Sequence, residues 1–403
     1  MRWPRASASR LETSESGRRL ASDHARRSYG ALALSALVAA GLSACFWEVD
    51  NPAGPPPPEA VESPRTDNGV LCLALDARTL FLGGSFTRIA SRARTRLASV
   101  DVRSGALSAW KPWADDRVAA LVVSGNRLFA GGSFDGINGV TREGAAAFDV
   151  GSGVMTTWDP HVAGAVRAMA VVGDVVYLGG AFAAITGEAR QNIGACDWHT
   201  GRVTPWNPDA NGAVRALAAA SGQLFVGGGF TAIGGQVRSH LAALSLATGA
   251  PTPWNPIANS TVRAVVLDEI GTTVYVGGQF TALRHVARYR VAAVDAESAM
   301  PTPWNPAADG PVYAIAVDGD KVYLGGDFRQ VGGQARSNVA AVDRETGTAT
   351  AWSADTNGPV YAIAVSGAMV YIAGDFTVVG SQPQSGIAGI LGDPGDSPDV
   401  AMN

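Results

Sequence analysis

A hydrophobic triplet followed by Gly-Gly-x-Phe recurs seven times along the chain, with its phenylalanine at Phe86, Phe134, Phe182, Phe230, Phe280, Phe328 and Phe376. Successive markers are 48 residues apart, except for 50 between Phe230 and Phe280, and only the last copy alters the glycine pair, to Ala373-Gly374. A unit of this length is too small to bury its own apolar faces, so copies must stack on one another. Hydrophobic residues make up 47% of the 403 and charged residues 16%, enough apolar material for such a stack.

Residues 212–258 show the logic of one copy. Val214 to Ala219 reads as an apolar strand, Ser221-Gly222 as a hairpin turn, and Gln223 to Val226 as the start of a second strand. Leu241 to Leu246 reads as a third strand, Thr248-Gly249 as a turn, and Thr252 to Trp254 as a fourth short strand closed by Asn255-Pro256. No segment reaches helical length or period, and the 49 glycines supply tight turns. Four short strands per period of 40 to 50 residues predict an all-β fold, a seven-bladed β-propeller of four-stranded antiparallel blades over residues 60–396, followed by a tail at 397–403.

Comparing the copies separates scaffold from site. An aromatic precedes each marker by five residues (Phe81, Phe129, Tyr177, Phe225, Tyr275, Tyr323, Tyr371), and a tryptophan follows six of them by 24 (Trp110, Trp158, Trp206, Trp254, Trp304, Trp352). One per blade at constant register is what packing between blades requires. Arginine recurs eight residues after the marker (Arg94, Arg142, Arg190, Arg238, Arg288, Arg336), and aspartate fifteen after it (Asp101, Asp149, Asp197, Asp295, Asp343). The aspartates are expected to cap their own turns and the arginines to hold acids or turn carbonyls. Cys72 and Cys196 fall on apolar strand positions and read as buried thiols.

The assembled unit is hydrophobic-Gly-Gly-x-Phe-Thr-x-hydrophobic-Gly-Gly-x-x-Arg, then Val-Ala-Ala-hydrophobic-Asp-x-x-Thr-Gly, then Pro-Trp-Asn-Pro. It resembles the bacterial delta-60-type propeller repeats over about residues 60 to 395. The resemblance implies an exported all-β propeller and brings no activity with it. The Asp-x-x-Thr-Gly and tryptophan elements are also similar to quinoprotein propeller repeats, but those have eight blades and an adjacent cysteine pair that this chain lacks.

Residues 1–44 read as an export signal. Seven arginines lie between Arg2 and Arg27, and the small and apolar run from Tyr29 to Gly41 is too short to span a bilayer. It ends in Leu42-Ser43-Ala44-Cys45, which resembles the lipobox of bacterial lipoproteins and implies cleavage before Cys45 and lipidation of its thiol. Membrane contact through that anchor follows, at the outer membrane if the host is Gram-negative, since Phe46 rather than an aspartate comes next. Residues 45–59, with Pro55 to Pro58, read as an extended tether. The seventh copy has no tryptophan segment, and Ala60 to Pro64 is in register to supply its missing outer strand and close the ring.

Chemistry is sparse. His161, His199, His240 and His285 fall in different copies without metal-ligand spacing, no nucleophile motif occurs, and no catalytic residue, metal or cofactor is assigned. A net charge of −4 without a basic block after the leader argues against nucleic acid. One position differs strongly between copies, early in the first strand: Leu71, Ala119, Arg167, Arg215, Arg263, Tyr313 and Tyr361. Three consecutive arginines and two tyrosines there make Arg167, Arg215, Arg263, Tyr313 and Tyr361 the candidate ligand-binding residues, for an anion or a sugar at one channel mouth. The expected function is a non-catalytic, membrane-tethered binding or scaffold module at the cell envelope with a protein or carbohydrate ligand. The rival is an extracytoplasmic propeller enzyme, quinoprotein-like or sugar-active.

Overall fold

The computed structural model describes residues 65–392, which form strands and turns without a helix. The chain runs through seven antiparallel sheets in succession. Their first strands are Val70–Asp76, Val118–Ser124, Val162–Val172, Val214–Ala220, Val262–Leu267, Val312–Asp318 and Val360–Ser366. The second strands, Thr79–Gly84, Arg127–Gly132, Val175–Ile185, Gln223–Gly228, Thr273–Gly278, Lys321–Gly326 and Met369–Gly374, are central. The third strands, Leu97–Asp101, Ala145–Asp149, Ile193–Asp197, Leu241–Ser245, Val291–Asp295, Val339–Asp343 and Ile387–Leu391, pair with the far side of the second. Ser221 and Gly222, at φ of 50° and 76°, make the turn between the first two strands of the fourth sheet, the left-handed pair that a two-residue hairpin needs.

The expected fourth strand is much reduced. In six sheets it contracts to a single bridging residue opposite the third strand: Leu107, Met155, Val203, Pro251, Pro301 and Ala349. Two of the bridging residues are prolines, Pro251 and Pro301, which have no N–H to add to the ladder, but the contraction is the same in the four copies without one. Between the second and third strands the chain forms a small hairpin of two-residue strands, for example Ala232–Ile233 with Gln236–Val237.

Consecutive sheets pack face to face. A Cβ on the first glycine of each pair would collide with the next sheet, as Gly227 would with Val262 Cγ1 at 2.7 Å, so glycine sets the sheet spacing. Every apolar cluster joins two sheets that follow one another, and one joins the ends: Val70, Leu73 and Leu82 of the first sheet pack with Ala364, Tyr371 and Ile387 of the seventh. Each repeated tryptophan lies between sheets. Trp158, for instance, meets Phe129 of its own sheet edge-on at 5.0 Å and donates its indole N–H to the Asp197 carbonyl of the next at 3.0 Å.

The other repeated polar residues serve the scaffold. Arg94, Arg190, Arg238, Arg288 and Arg336 each donate to a carbonyl fourteen residues on, tying down the segment that leads to the tryptophan. Arg142 reaches the Thr156 carbonyl at 3.4 Å and pairs with Asp159 at 3.2 Å. Asp197 accepts from the amide and hydroxyl of Thr200 at 2.7 and 2.6 Å, the expected turn cap. Cys72 and Cys196 are free and buried, and burial pushes the Cys196 thiol up to about 12.

Residues 60–64, expected to close the last sheet, lie outside the described residues, as do Cys45 and the export signal. Immediately after them, the Thr66 amide donates to the Ser385 carbonyl of the seventh sheet at 3.2 Å, and Thr66 bridges Ile89 of the first. Ala114 makes the same two contacts one repeat later, to Thr95 and Ile137.

Candidate functional site

Each first strand carries a β-bulge at the same place. In the first sheet Val70 pairs with Gly84 and Cys72 with Gly83, so Leu71 is the extra residue. The same shift leaves Ala119, Arg167, Arg215, Arg263, Tyr313 and Tyr361 extra in the others. The seven positions singled out in the sequence are thus the seven bulge residues. A bulged residue has no cross-strand partner, and the local kink re-aims its side chain out of the ladder.

One cavity of about 200 Å³ is bounded by the first strands of all seven sheets, and Leu71, Ala119, Arg167, Arg263, Tyr313 and Tyr361 line it. Below them its wall is apolar, with Met169, Leu217, Val265 and Ile315. Arg215 does not itself line the cavity, but it lies within reach of the charges of Arg263 and Arg167. Burial, and then the charges of Arg263 and Arg167, lower the pKa of Arg215. Burial, and then Arg117 and Arg263, lower that of Arg167.

No hydrogen bond or ion pair holds the guanidinium groups of Arg167, Arg215 and Arg263 among the described residues, and the Nε of each is buried without a partner, as it is in the six scaffold arginines. The Arg263 guanidinium lies 5.0 Å from the centre of the Tyr313 ring, a cation–π contact. The Tyr313 and Tyr361 rings follow, their centroids 5.7 Å apart and tilted by 36°.

A second set of positions, outside the cavity wall, adjoins the start of the first strands and escaped the sequence reading. The residue just before each marker phenylalanine closes onto the start of its own first strand: the Asp327 amide donates to the Pro311 carbonyl at 2.9 Å, and that of Asp375 to Pro359 at 2.9 Å. In the sheets that carry the three arginines, this position is Ala181, Gly229 and Gln279, none of them acidic. In the two sheets that carry the tyrosines it is Asp327 and Asp375, both exposed. Burial raises the Tyr361 pKa, and the charges of Asp375 and Asp327 add to it, while burial and Asp327 do the same at Tyr313 against the opposing Arg263. The signal was present in the chain as the variable letter of Gly-Gly-x-Phe, where two copies out of seven carry aspartate.

The remaining ionisable groups are scattered. His161 pairs with Asp159 at 3.2 Å and His199 with Asp174 at 3.6 Å, in different places. Among the described residues no three His, Cys, Asp or Glu side chains gather as a metal site would require, and no helix is long and apolar enough to cross a membrane.

No protein-family model matches the chain, and no curated protein matches it. Among solved structures it is similar to the computationally designed Ika8 protein, at 14% identity and a TM-score of 0.51, over 81% of this chain and 97% of that one. At that identity the likeness is one of fold.

Proposed function

We propose that the seven sheets are the blades of one closed β-propeller, tethered to the cell envelope through a lipid on Cys45, and that it acts as a non-catalytic binding module for an anionic ligand. The observation that carries the binding reading is the uncompensated charge at the bulges. Arg167, Arg215 and Arg263 stand on three successive sheets and make no ion pair among the described residues, and burial together with neighbouring arginine charges lowers the pKa of Arg167 and Arg215. Scaffold arginines of this chain share the unpartnered Nε but spend their terminal nitrogens on carbonyls, whereas Arg167, Arg215 and Arg263 make no hydrogen bond among the described residues, so their open guanidinium groups point to a partner from outside. Closure is supported by the packing of the first sheet on the seventh, and export and lipidation by the lipobox resemblance at Leu42 to Cys45.

Calorimetric titration of the full chain with citrate and with inorganic phosphate tests the site. Binding is expected, weakening steeply with added salt and disappearing in the triple variant Arg167→Ala, Arg215→Ala, Arg263→Ala. Equal binding by the variant, or none by the parent, overturns it. The anchor is tested separately, by comparing detergent partitioning of the parent with Cys45→Ala expressed in a bacterium; identical partitioning overturns it.

A further inference from the structure

The mouth is built unevenly. Cations occupy the bulges of the third, fourth and fifth sheets, and two tilted phenol rings with adjoining carboxylates occupy the sixth and seventh. We propose that the ligand is a monosaccharide ring bearing an anionic group, with its carboxylate or phosphate on the Arg167, Arg215 and Arg263 arc and its ring against Tyr313 and Tyr361. This rests on the anion site proposed above and adds what carries the anion.

Three features favour a sugar. The first is the aromatic pair, which offers a large apolar face beside the cations, the kind of surface that takes the C–H face of a sugar ring. Arg263 already covers Tyr313 at 5.0 Å, and the Tyr313 and Tyr361 rings, 5.7 Å apart and tilted by 36°, pack beside one another, so a ring would lie against the pair rather than between its members. The second is the pair Asp327 and Asp375. Beside arginines these carboxylates would neutralise the site. Beside tyrosines they leave it cationic and add acceptors for hydroxyl groups, which are donors that a bare anion does not have. The third is size: about 200 Å³ falls below the roughly 300–1,000 Å³ of sites for drug-sized molecules, and fits one small ring with its substituent.

The test is calorimetric titration of the full chain with glucuronate, glucose 6-phosphate, glucose, acetate, inorganic phosphate and AMP. Glucuronate or glucose 6-phosphate should bind at least about tenfold tighter than acetate or phosphate respectively, and glucose more weakly than either; which of the two sugars is preferred identifies the anionic group. Tyr361→Ala should lower the sugar-anion affinity by about tenfold and leave phosphate affinity within about twofold. The exposed pair Asp327→Asn and Asp375→Asn, which threatens folding less, should narrow the preference for sugar anion over bare anion. If bare anions bind as tightly as their sugar counterparts, or if neither the tyrosine nor the aspartate variants change the preference, the sugar assignment falls and the anion site stands. A preference for AMP over both sugars makes the ring a nucleobase and overturns it as well. If no anion binds at all, the underlying site falls with it.

Discussion

The indole Nε1 of Trp254 donates to the main-chain carbonyl of Asp295 at 2.9 Å, across the boundary between the fourth and fifth sheets. The same ring meets Phe225 edge-on at 5.0 Å and an interplanar angle of 86°, so one side chain joins two sheets by area and by a hydrogen bond. Trp254→Ala is therefore expected to cost about 3–5 kcal/mol of stability. Trp254→Phe keeps much of the area but leaves a buried carbonyl without its donor, at about 1–3 kcal/mol. Urea unfolding of both variants checks the order, and equal losses would mean that the carbonyl dominates over the packing.

The repeated residues were legible because the chain compares itself with itself. Trp254, Arg238 and Asp295 each recur at one register in several copies, and a position fixed by packing must recur wherever the packing does. The candidate site was legible for the opposite reason. A bulge residue such as Arg263 has no cross-strand neighbour to constrain it, so the position drifts from leucine to arginine to tyrosine while its neighbours stay put. The bulge itself leaves no such trace, and neither did Asp327, which looked like a spacer until the chain fold brought it back against Pro311. The fourth strand was over-read because Thr252 to Trp254 alternates like a strand, while only Pro251 bridges the third strand there, as a single residue does in the five other copies.

Burial and neighbouring arginine charges at Arg167 and Arg215 oppose folding in the absence of a ligand, since both guanidinium groups are partly desolvated near like charges. Arg215→Ala is expected to raise the unfolding temperature at low ionic strength. The gain should shrink in about 1 M salt, where the screening length falls to roughly 3 Å. Thermal unfolding at the two salt concentrations checks this, and a loss of stability at low salt would mean that the arginine stem contributes more by packing than the charge costs.

The turn-capping aspartates make the fold acid-sensitive. Asp149, Asp197, Asp295 and Asp343 are held below the ordinary 3.8 chiefly by the hydroxyls of Ser152, Thr200, Ser298 and Thr346, and Asp101 chiefly by the Ser104 amide. A carboxylate with a depressed folded-state pKa contributes stability that is present above its unfolded value and lost as pH falls through the folded one. The unfolding temperature should thus hold between neutral pH and about 5 and decline below about 4. The triple variant Asp197→Asn, Asp295→Asn, Asp343→Asn should start lower and show a flatter decline, because asparagine can still accept at the turn but does not titrate.

Closure can be tested at the seam. Thr66 gives the seventh sheet the amide that Ala114, Ala210 and Thr356 give to the sheets before their own, at 3.2 Å against 3.3, 2.9 and 3.1 Å. Four residues before Ala114 stands Trp110, and four before Thr66 stands Glu62, so the sequence register proposed for closure would put the segment ahead of Thr66 where the other copies carry their tryptophan. Without it the third strand of that sheet, Ile387–Leu391, would present an open edge, which invites pairing with other molecules. Deleting residues 46–66 should lower the unfolding temperature and promote aggregation, whereas deleting 46–57 should do neither. Glu62→Trp sharpens the test. If the closure register holds, an indole there supplies the aromatic partner that Trp352 gives Tyr323 in the sixth sheet, and the substitution should raise the unfolding temperature. If both deletions melt like the parent, and Glu62→Trp changes nothing, the N-terminal segment does not close the last sheet.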